Sequence, residues 1–276
     1  FASELEQVTH SFKFRAAWSV VNNIEAEGFI AASSGNFGQA LACACQRLGK
    51  SCVIVMPTTS AQVKINAVYS YDAEIFFVDT KTQSRADKVS KVSKKYPSYH
   101  VASAYDCDHV ISGNASLGEE IANLKEEFDL IIAPIGGGGL ASGIIKGLRT
   151  HGDQTPVWGA EPSLADDLYW SLKAQKLLKH DIEPQTLADG ARTLSVGRRN
   201  WTILKDNLSG VIRVSEASII QGVQLLWAVG LRVEPTGALT LGALLQTESL
   251  KGKKVLAVIS GGNVDSEIFN TLIGKV

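Results

Sequence analysis

The sequence lacks several features that would identify a class of protein at once. Among 276 residues, 27 Lys and Arg are balanced by 28 Asp and Glu, so no excess of basic charge points to nucleic acid. No apolar run reaches the roughly 20 residues needed to cross a bilayer. Zinc and redox sites typically have cysteines in C-x-x-C spacing, and none of the 4 cysteines has it. We expect a soluble protein that binds neither nucleic acid nor membranes.

Common catalytic signatures are missing as well. There is no G-x-S-x-G nucleophile motif and no H-E-x-x-H metalloprotease motif, and the 5 histidines lack metal-ligand spacing. Cys43 and Cys45 lie in an apolar helical stretch, so we expect buried, reduced thiols. Reduced thiols are typical of a cytoplasmic protein.

Short runs rich in Val, Ile and Phe alternate with helical patterns along most of the chain. Strands are predicted at residues 29–32, 52–56, 74–78, 130–133, 157–160 and 255–259. Helices are predicted at residues 37–48, 61–71, 84–94, 117–125, 140–148 and 217–228. Continuously apolar strands joined by helices predict an α/β fold with a mostly parallel sheet covered on both faces.

Three of these strands are followed by a turn of small residues and then by a helix. The turns are Ser33-Ser34-Gly35-Asn36, the four glycines at 136–139, and Ser260-Gly261-Gly262-Asn263. In an open parallel sheet such turns share the carboxyl edge, where ligands bind. Consecutive glycines before a helix favour a phosphate, because backbone N–H groups can approach the anion closely.

The glycine run also matches a dinucleotide-binding motif. Gly136, Gly138 and Ala141 satisfy G-x-G-x-x-A, and Glu161 ends the next predicted strand near the spacing of a ribose-binding carboxylate. A nicotinamide-dependent oxidoreductase is therefore an open alternative.

Lys13 lies in an unusual local sequence, Ser11-Phe12-Lys13-Phe14. With Ser11 as a helix N-cap, Lys13 falls in the first turn, where the helix dipole disfavours an ammonium group. Desolvation by the flanking Phe12 and Phe14 favours the neutral amine further. A neutral amine forms an imine with an aldehyde. A ligand that is both aldehyde and phosphate is pyridoxal 5′-phosphate.

The sequence resembles the fold-type II pyridoxal-phosphate enzymes, the tryptophan synthase β-like group, and within them the serine racemase and serine/threonine dehydratase family. The matching segments are SFKFRAA (11–17), SSGNFGQAL (33–41), GGGGLASG (136–143), AEPSLADD (160–167), LADGAR (187–192), VEPTGA (233–238) and SGGNVD (260–265). The resemblance implies two lobes, each with a mostly parallel sheet flanked by helices. Residues 1–27 with 105–276 are the predicted large cofactor-binding domain, and residues 28–104 the small mobile domain that closes on substrate.

The resemblance also assigns roles to individual residues. Lys13 is implied to form the imine and to move the α-proton, and Ser34 to act on the opposite face of the cofactor ring. Cofactor contacts are implied for Phe12, Lys13, Asn36, Gly136, Gly137, Gly138, Gly139, Leu140, Glu234 and Ser260. Substrate contacts are implied for Ser33, Ser34, Asn36 and Arg85. A Mg²⁺ or Ca²⁺ site is implied at Glu161, Asp167 and the Ala165 carbonyl.

These assignments predict an ammonia-lyase that converts a small β-hydroxy amino acid to a 2-oxo acid and ammonia. Amino-acid racemisation in the same pocket is the alternative, and the resemblance also implies a homodimer. The chain departs from the family at Phe37, where histidine is common, which changes the pocket for the substrate carboxylate. The sequence does not decide between serine, threonine and 3-hydroxyaspartate.

Overall fold

The chain folds into two compact units. The computed structural model describes residues 1–274. The large unit consists of Phe1–Phe12 and the chain from Asn114 onward, and the small unit is Lys13–Gly113. The strands are β1 Ala2–Ser3, β2 Gly28–Ala32, β3 Ser51–Pro57, β4 Glu74–Val78, β5 Tyr99–Val101, β6 Leu130–Pro134, β7 Val157–Pro162, β8 Leu208–Val214 and β9 Val255–Ile259. The helices are α1 Lys13–Asn23, α2 Asn36–Arg47, α3 Gln62–Tyr69, α4 Arg85–Ser93, α5 Asp108–Ala122, α6 Gly139–Thr150, α7 Asp167–Ala174, α8 Arg198–Asn207, α9 Glu216–Ala228, α10 Leu239–Gln246 and α11 Ser266–Leu272.

The large unit is built on a five-stranded parallel sheet with the order β1-β9-β6-β7-β8. Its central strands are almost fully buried, as expected for a sheet with helices on both faces. The carboxyl ends of three adjacent strands place Ser260, the glycine run and Glu161 along one edge.

The small unit has a four-stranded parallel sheet with the order β4-β3-β2-β5. Its boundaries differ from the predicted domain limits, because α1 belongs to this unit. Ala17, Val20 and Val21 of α1 are buried in one core with Phe29 and Leu41. Motion of a domain at residues 28–104 stays a prediction.

All six predicted strands and all six predicted helices are confirmed, most with ends shifted by a residue or two. The exception is α5, which begins at Asp108 rather than at residue 117. The sequence pattern did not reveal β8, because this edge strand carries Gly, Ser and Arg and is only partly buried. Within the described residues, no helix has the length and apolar character to cross a bilayer. The cysteines are free, and only Cys107 of the four is not buried.

Candidate active site

The glycine run forms a tight loop between β6 and α6. Gly138 is the N-cap residue of α6 and has a left-handed φ of 85°, which glycine adopts without strain. A Cβ atom there would lie 2.9 Å from Leu204 Cδ1 and 3.1 Å from Asn200 Cβ, so a side chain has no room. Among the residues that the structure describes, no side chain caps the start of α6. The first N–H groups of the helix can therefore receive an anion.

The opposite side of this loop is fixed by α8 and the residue before it. The Gly137 carbonyl accepts a hydrogen bond from the Gly197 amide at 3.0 Å and another from Asn200 Nδ2 at 2.6 Å. Asn200 is completely buried. These two donors hold the Gly137 carbonyl against α8 and so set the orientation of the loop.

Ser260 follows β9 on the same sheet edge. Its side chain is 1% exposed, and within residues 1–274 its hydroxyl has no hydrogen-bond partner. A buried hydroxyl usually has a hydrogen-bond partner, which water or a ligand can supply here. Glu234 is also buried, and its amide donates to the Gly261 carbonyl at 3.2 Å. Glu234 is thus placed beside the turn that contains Ser260.

The residues before Lys13 are anchored to this turn. The Phe12 amide donates to the Ser260 carbonyl at 3.0 Å, and Ser11 forms an isolated β-bridge with Gly261. Since α1 begins at Lys13, Ser11 lies too far upstream to cap it, and the predicted N-cap is wrong. The position of Lys13 in the first turn is confirmed.

Lys13 is partly buried within the small unit. Its Nζ donates to the Ala104 carbonyl at 2.9 Å and lies 5.9 Å from the centroid of the Phe37 ring. Phe14 instead packs on Trp18, with ring centroids 5.8 Å apart. Desolvation of Lys13 by Phe12 and Phe14 stays a prediction. The aromatic neighbour of the amine is Phe37.

The turn after β2 carries the predicted substrate-binding residues. The Ser33 hydroxyl accepts hydrogen bonds from the Gly35 amide at 3.3 Å and the Gly38 amide at 3.0 Å. Ser33 therefore shapes the turn, while Ser34 and Asn36 are partly exposed. The carbonyl of Ala104, which binds Lys13, follows β5, the neighbour of β2. Lys13 and the turn thus meet at one edge of the small sheet.

Arg85 is the partly buried first residue of α4. That helix follows β4, which is two strands away from β2 in the sheet order. Contact between Arg85 and a substrate stays a prediction.

The first acidic residue of the predicted cation site is Glu161, at the end of β7. It is 1% exposed, and its carboxylate accepts hydrogen bonds from the Tyr169 amide at 2.7 Å and the Leu168 amide at 3.3 Å. Burial, and then the negative charge of Asp167, raise the pKa of Glu161 well above its usual value.

The second acidic residue, Asp167, begins α7. Its Oδ2 accepts a hydrogen bond from the Val196 amide at 2.8 Å, and burial raises its pKa to about 7. Ala165 is buried close by in sequence. Among residues 1–274, no three His, Cys, Asp or Glu side chains are grouped to hold a metal ion. A cation at Glu161 and Asp167 would therefore need carbonyl or water oxygens as well, which Mg²⁺ and Ca²⁺ commonly use.

Comparisons with known proteins agree with this geometry. The family model described as "Pyridoxal-phosphate dependent enzyme" matches residues 3–261. The chain belongs to the pyridoxal-phosphate-dependent enzymes. It is 35% identical to the serine racemase of Dictyostelium discoideum, over 96% of this chain and 84% of the relative. It is 33% identical to the L-threo-3-hydroxyaspartate ammonia-lyase of Saccharomyces cerevisiae, over 99% and 85% of the two chains. The structure of maize serine racemase superposes with a TM-score of 0.90 at 28% identity, covering 99% and 85% of the two chains.

The large unit of this pyridoxal-phosphate-dependent enzyme fits its cofactor in chemical terms. The glycine loop offers backbone N–H groups at a helix start for a phosphate. The orphaned hydroxyl of Ser260 can donate to a ring nitrogen.

The dinucleotide interpretation of the glycine run is wrong for this family. That interpretation needs the Glu161 carboxylate to bind a ribose hydroxyl. The carboxylate is buried and accepts hydrogen bonds from two backbone amides of α7, so it is not accessible to a ribose.

Sequence analysis missed the segment at the start of α8, which supports both the glycine loop and Asp167. Val196, Gly197 and Asn200 carry these contacts. The sequence from residue 174 to residue 201 has the least regular hydrophobic pattern of the chain, and Asn200 shortly after Gly197 was its only signal.

Proposed function

We propose that this protein is an ammonia-lyase that converts a small β-hydroxy amino acid, such as serine, threonine or 3-hydroxyaspartate, to a 2-oxo acid and ammonia. The observation that carries the proposal is the position of Lys13. It is a partly buried amine held by the Ala104 carbonyl. The backbone amide of the residue before it, Phe12, donates a hydrogen bond to the Ser260 carbonyl. The names of the yeast and Dictyostelium relatives point to the same substrate class.

The cofactor would be held by the residues for which the family resemblance implies cofactor contacts. The amides of Gly136, Gly137, Gly138, Gly139 and Leu140 would bind its phosphate, with Ser260 at the ring nitrogen and Asn36 at the ring hydroxyl. Phe12 and Glu234 would support the ring through packing and through the Ser260 turn. Bound pyridoxal phosphate supplies an electron sink for the charge left at the substrate α-carbon.

The protein side chains would perform the proton transfers. The Lys13 amine would hold the cofactor aldehyde, exchange with the substrate amine, and then take the α-proton. Ser34 would hold or deliver a proton at the opposite face. Ser33 and Asn36 would orient the substrate carboxylate, with Arg85 nearby when substrate is bound. The net loss of water followed by hydrolysis yields the oxo acid and ammonia.

Replacing Lys13 tests this assignment. Lys13→Ala should abolish the release of ammonia and oxo acid from β-hydroxy amino acids. Lys50→Ala is a matched control, since Lys50 is also partly buried and donates to a backbone carbonyl, that of Ala26, at 2.8 Å. Lys50→Ala should retain activity. Borohydride reduction and peptide mapping should label Lys13, and full activity in Lys13→Ala would refute the assignment.

Racemisation is the second candidate, favoured by the Lys13 and Ser34 pair and by 35% identity to a named serine racemase. Two proton-transferring groups on opposite faces of the α-carbon can invert it. Chiral analysis of serine after incubation separates the two reactions. Formation of oxo acid from L-serine with no D-serine excludes racemase activity.

A divalent cation, Mg²⁺ or Ca²⁺, is proposed at Glu161, Asp167 and the Ala165 carbonyl. Glu161 and Asp167 are buried carboxylates whose pKa values are raised mainly by burial, and a bound cation would offset the cost of burying their charge. The cation should raise the melting temperature of the wild type but not of Glu161→Gln.

We further propose a cytoplasmic homodimer. The free cysteines fit a reducing compartment. Sedimentation equilibrium should give twice the 29.5 kDa mass of the chain.

A further inference from the structure

The turn between α9 and α10 connects two parts of the proposed cofactor site in the large unit. It is a short 3₁₀ helix, Pro235–Ala238, and all of its residues are buried. Ser260, proposed at the ring nitrogen, and the glycine run, proposed at the phosphate, are each linked to this turn by backbone contacts. The two links are described in turn.

The link to the glycine run passes through Gly190. Its amide donates a hydrogen bond to the Thr236 hydroxyl at 3.0 Å. An added Cβ atom on Gly136 would lie 2.9 Å from the Gly190 carbonyl oxygen and 3.0 Å from Ala191 Cα. A side chain has no room there, because the backbone of Gly136 rests directly on residues 190–191. Thr236 therefore holds the segment that supports the first glycine of the run.

The link to Ser260 passes through the next residue, Gly261. The Glu234 amide donates to the Gly261 carbonyl at 3.2 Å. An added Cβ atom on Gly237 would collide with the same carbonyl oxygen, so the two backbones are in contact. A Cβ atom on Gly261 would lie 2.7 Å from Glu234 Oε1. The backbone beside Ser260 is thus packed against the turn at several points.

We propose that Thr236 is a positioning residue that sets the spacing between the glycine run and Ser260, so that both ends of pyridoxal phosphate bind at once. The turn is packed on Gly261, and the Thr236 hydroxyl holds residues 190–191 to the turn. Closely packed groups transmit a displacement rather than absorb it. Without the hydroxyl, residues 190–191 can shift, and the glycine run can shift with them relative to Ser260. The inference rests on the proposed cofactor contacts and extends them.

The surroundings of Thr236 make a clean substitution possible. Thr236 is 7% exposed, whereas Gly190 is exposed to solvent. Thr236→Val keeps the shape of the side chain but loses the acceptor, and water can then bind the Gly190 amide. We therefore expect a folded variant in which the position of residues 190–191 is no longer fixed. Thr236→Ser keeps the hydroxyl and should behave as the wild type does.

The test compares binding of the whole cofactor with binding of its two parts. Two groups joined in one ligand strengthen each other's binding only when their sites have the matching spacing. Calorimetric titration of apoprotein gives the Kd values of pyridoxal phosphate, of pyridoxal and of inorganic phosphate. Thr236→Val should bind pyridoxal phosphate about three- to tenfold more weakly, the usual value of one neutral hydrogen bond. Its Kd values for pyridoxal and for phosphate should equal those of the wild type.

Thr240→Val is the matched control. Thr240 is completely buried, and its hydroxyl donates to the Val258 carbonyl at 3.0 Å. Loss of this hydrogen bond should lower the melting temperature but leave all three Kd values unchanged. The control separates the spacing of the cofactor site from the general cost of removing a buried hydroxyl.

Four results would overturn the inference. They are wild-type affinity for pyridoxal phosphate in Thr236→Val, an equal loss of affinity for either part alone, the same loss in Thr240→Val, or weak binding in Thr236→Ser. If wild-type protein binds pyridoxal phosphate no better than pyridoxal, the glycine run does not hold the phosphate, and the inference falls with that contact. If lyase activity is absent but Thr236→Val loses only the joint binding, the inference stands and the proposed function falls.

Discussion

Ser260 is a buried polar residue at the sheet edge that also carries the glycine run. Its buried hydroxyl has no partner within residues 1–274, so a cofactor ring nitrogen would relieve an unmet hydrogen bond. Ser260→Ala should weaken pyridoxal phosphate binding by about three- to tenfold, the usual value of one neutral hydrogen bond. Absorbance titration of the cofactor measures this. Ser209→Ala, on an exposed position of β8, should leave the Kd unchanged, and an unchanged Kd in Ser260→Ala would exclude the contact.

How far sequence could define the site differs between residues. Lys13 and the glycine run stand out because a first-turn lysine and four glycines each suggest specific chemistry. The position of the Lys13 amine, 5.9 Å from the centroid of the Phe37 ring, depends on packing between α1 and α2, which no local pattern reveals. Asn200 was missed for the same reason: its role depends on a long-range bond to Gly137.

Among the structural elements, the loop between β6 and α6 offers a direct test of close packing. Gly138→Ala should lower the free energy of unfolding by about 1–3 kcal/mol, because it combines left-handed backbone strain with collision against α8. Urea denaturation measures the change. Gly152→Ala is the matched control, since Gly152 also has a positive φ, 75°, but open space around it. The control should lose only the strain, about 1 kcal/mol. Equal losses in both variants would show that the contact with α8 contributes nothing.

The short strand β5 gives the small unit a dependence on pH. Burial, and then the positive charge of His109, lower the pKa of His100 from 6.5. The unfolded chain therefore takes up a proton more readily than the folded one, and stability should fall as the pH drops through about 6.5. The loss of stability levels off once the pH is below the pKa of His100 in the folded protein. The melting temperatures of His100→Gln at pH 5.5 and at pH 7.5 should differ less than those of the wild type do. His151→Gln, in the large unit, should keep the wild-type difference.

Strands were predictable where the sequence has a short apolar run, both in the internal strand β9 and in the edge strand β4. Glu74–Val78 and Val255–Ile259 have the predicted ends. β5 and β8 escaped detection, since a three-residue strand and a polar edge strand carry too little hydrophobic signal. The domain boundary at Lys13 could not be placed either, because α1 is assigned to the small unit by its buried face rather than by a linker.

For the molecule as a whole, the two units have separate hydrophobic cores, and both acidic residues of the proposed cation site lie in the large unit. A ligand stabilises the folded state that binds it, by about 2.7 kcal/mol at a concentration of 100 times its Kd. Because cooperative units open separately in hydrogen exchange, Mg²⁺ should slow exchange in residues 114–274 and leave residues 13–113 unchanged. Mass spectrometry of peptides from protein exchanged with Mg²⁺ or with a chelator measures this. Glu161→Gln should remove the difference. Slower exchange in both units to the same extent would show that they open as one cooperative body, and the assignment of cation stabilisation to the large unit alone would then be wrong.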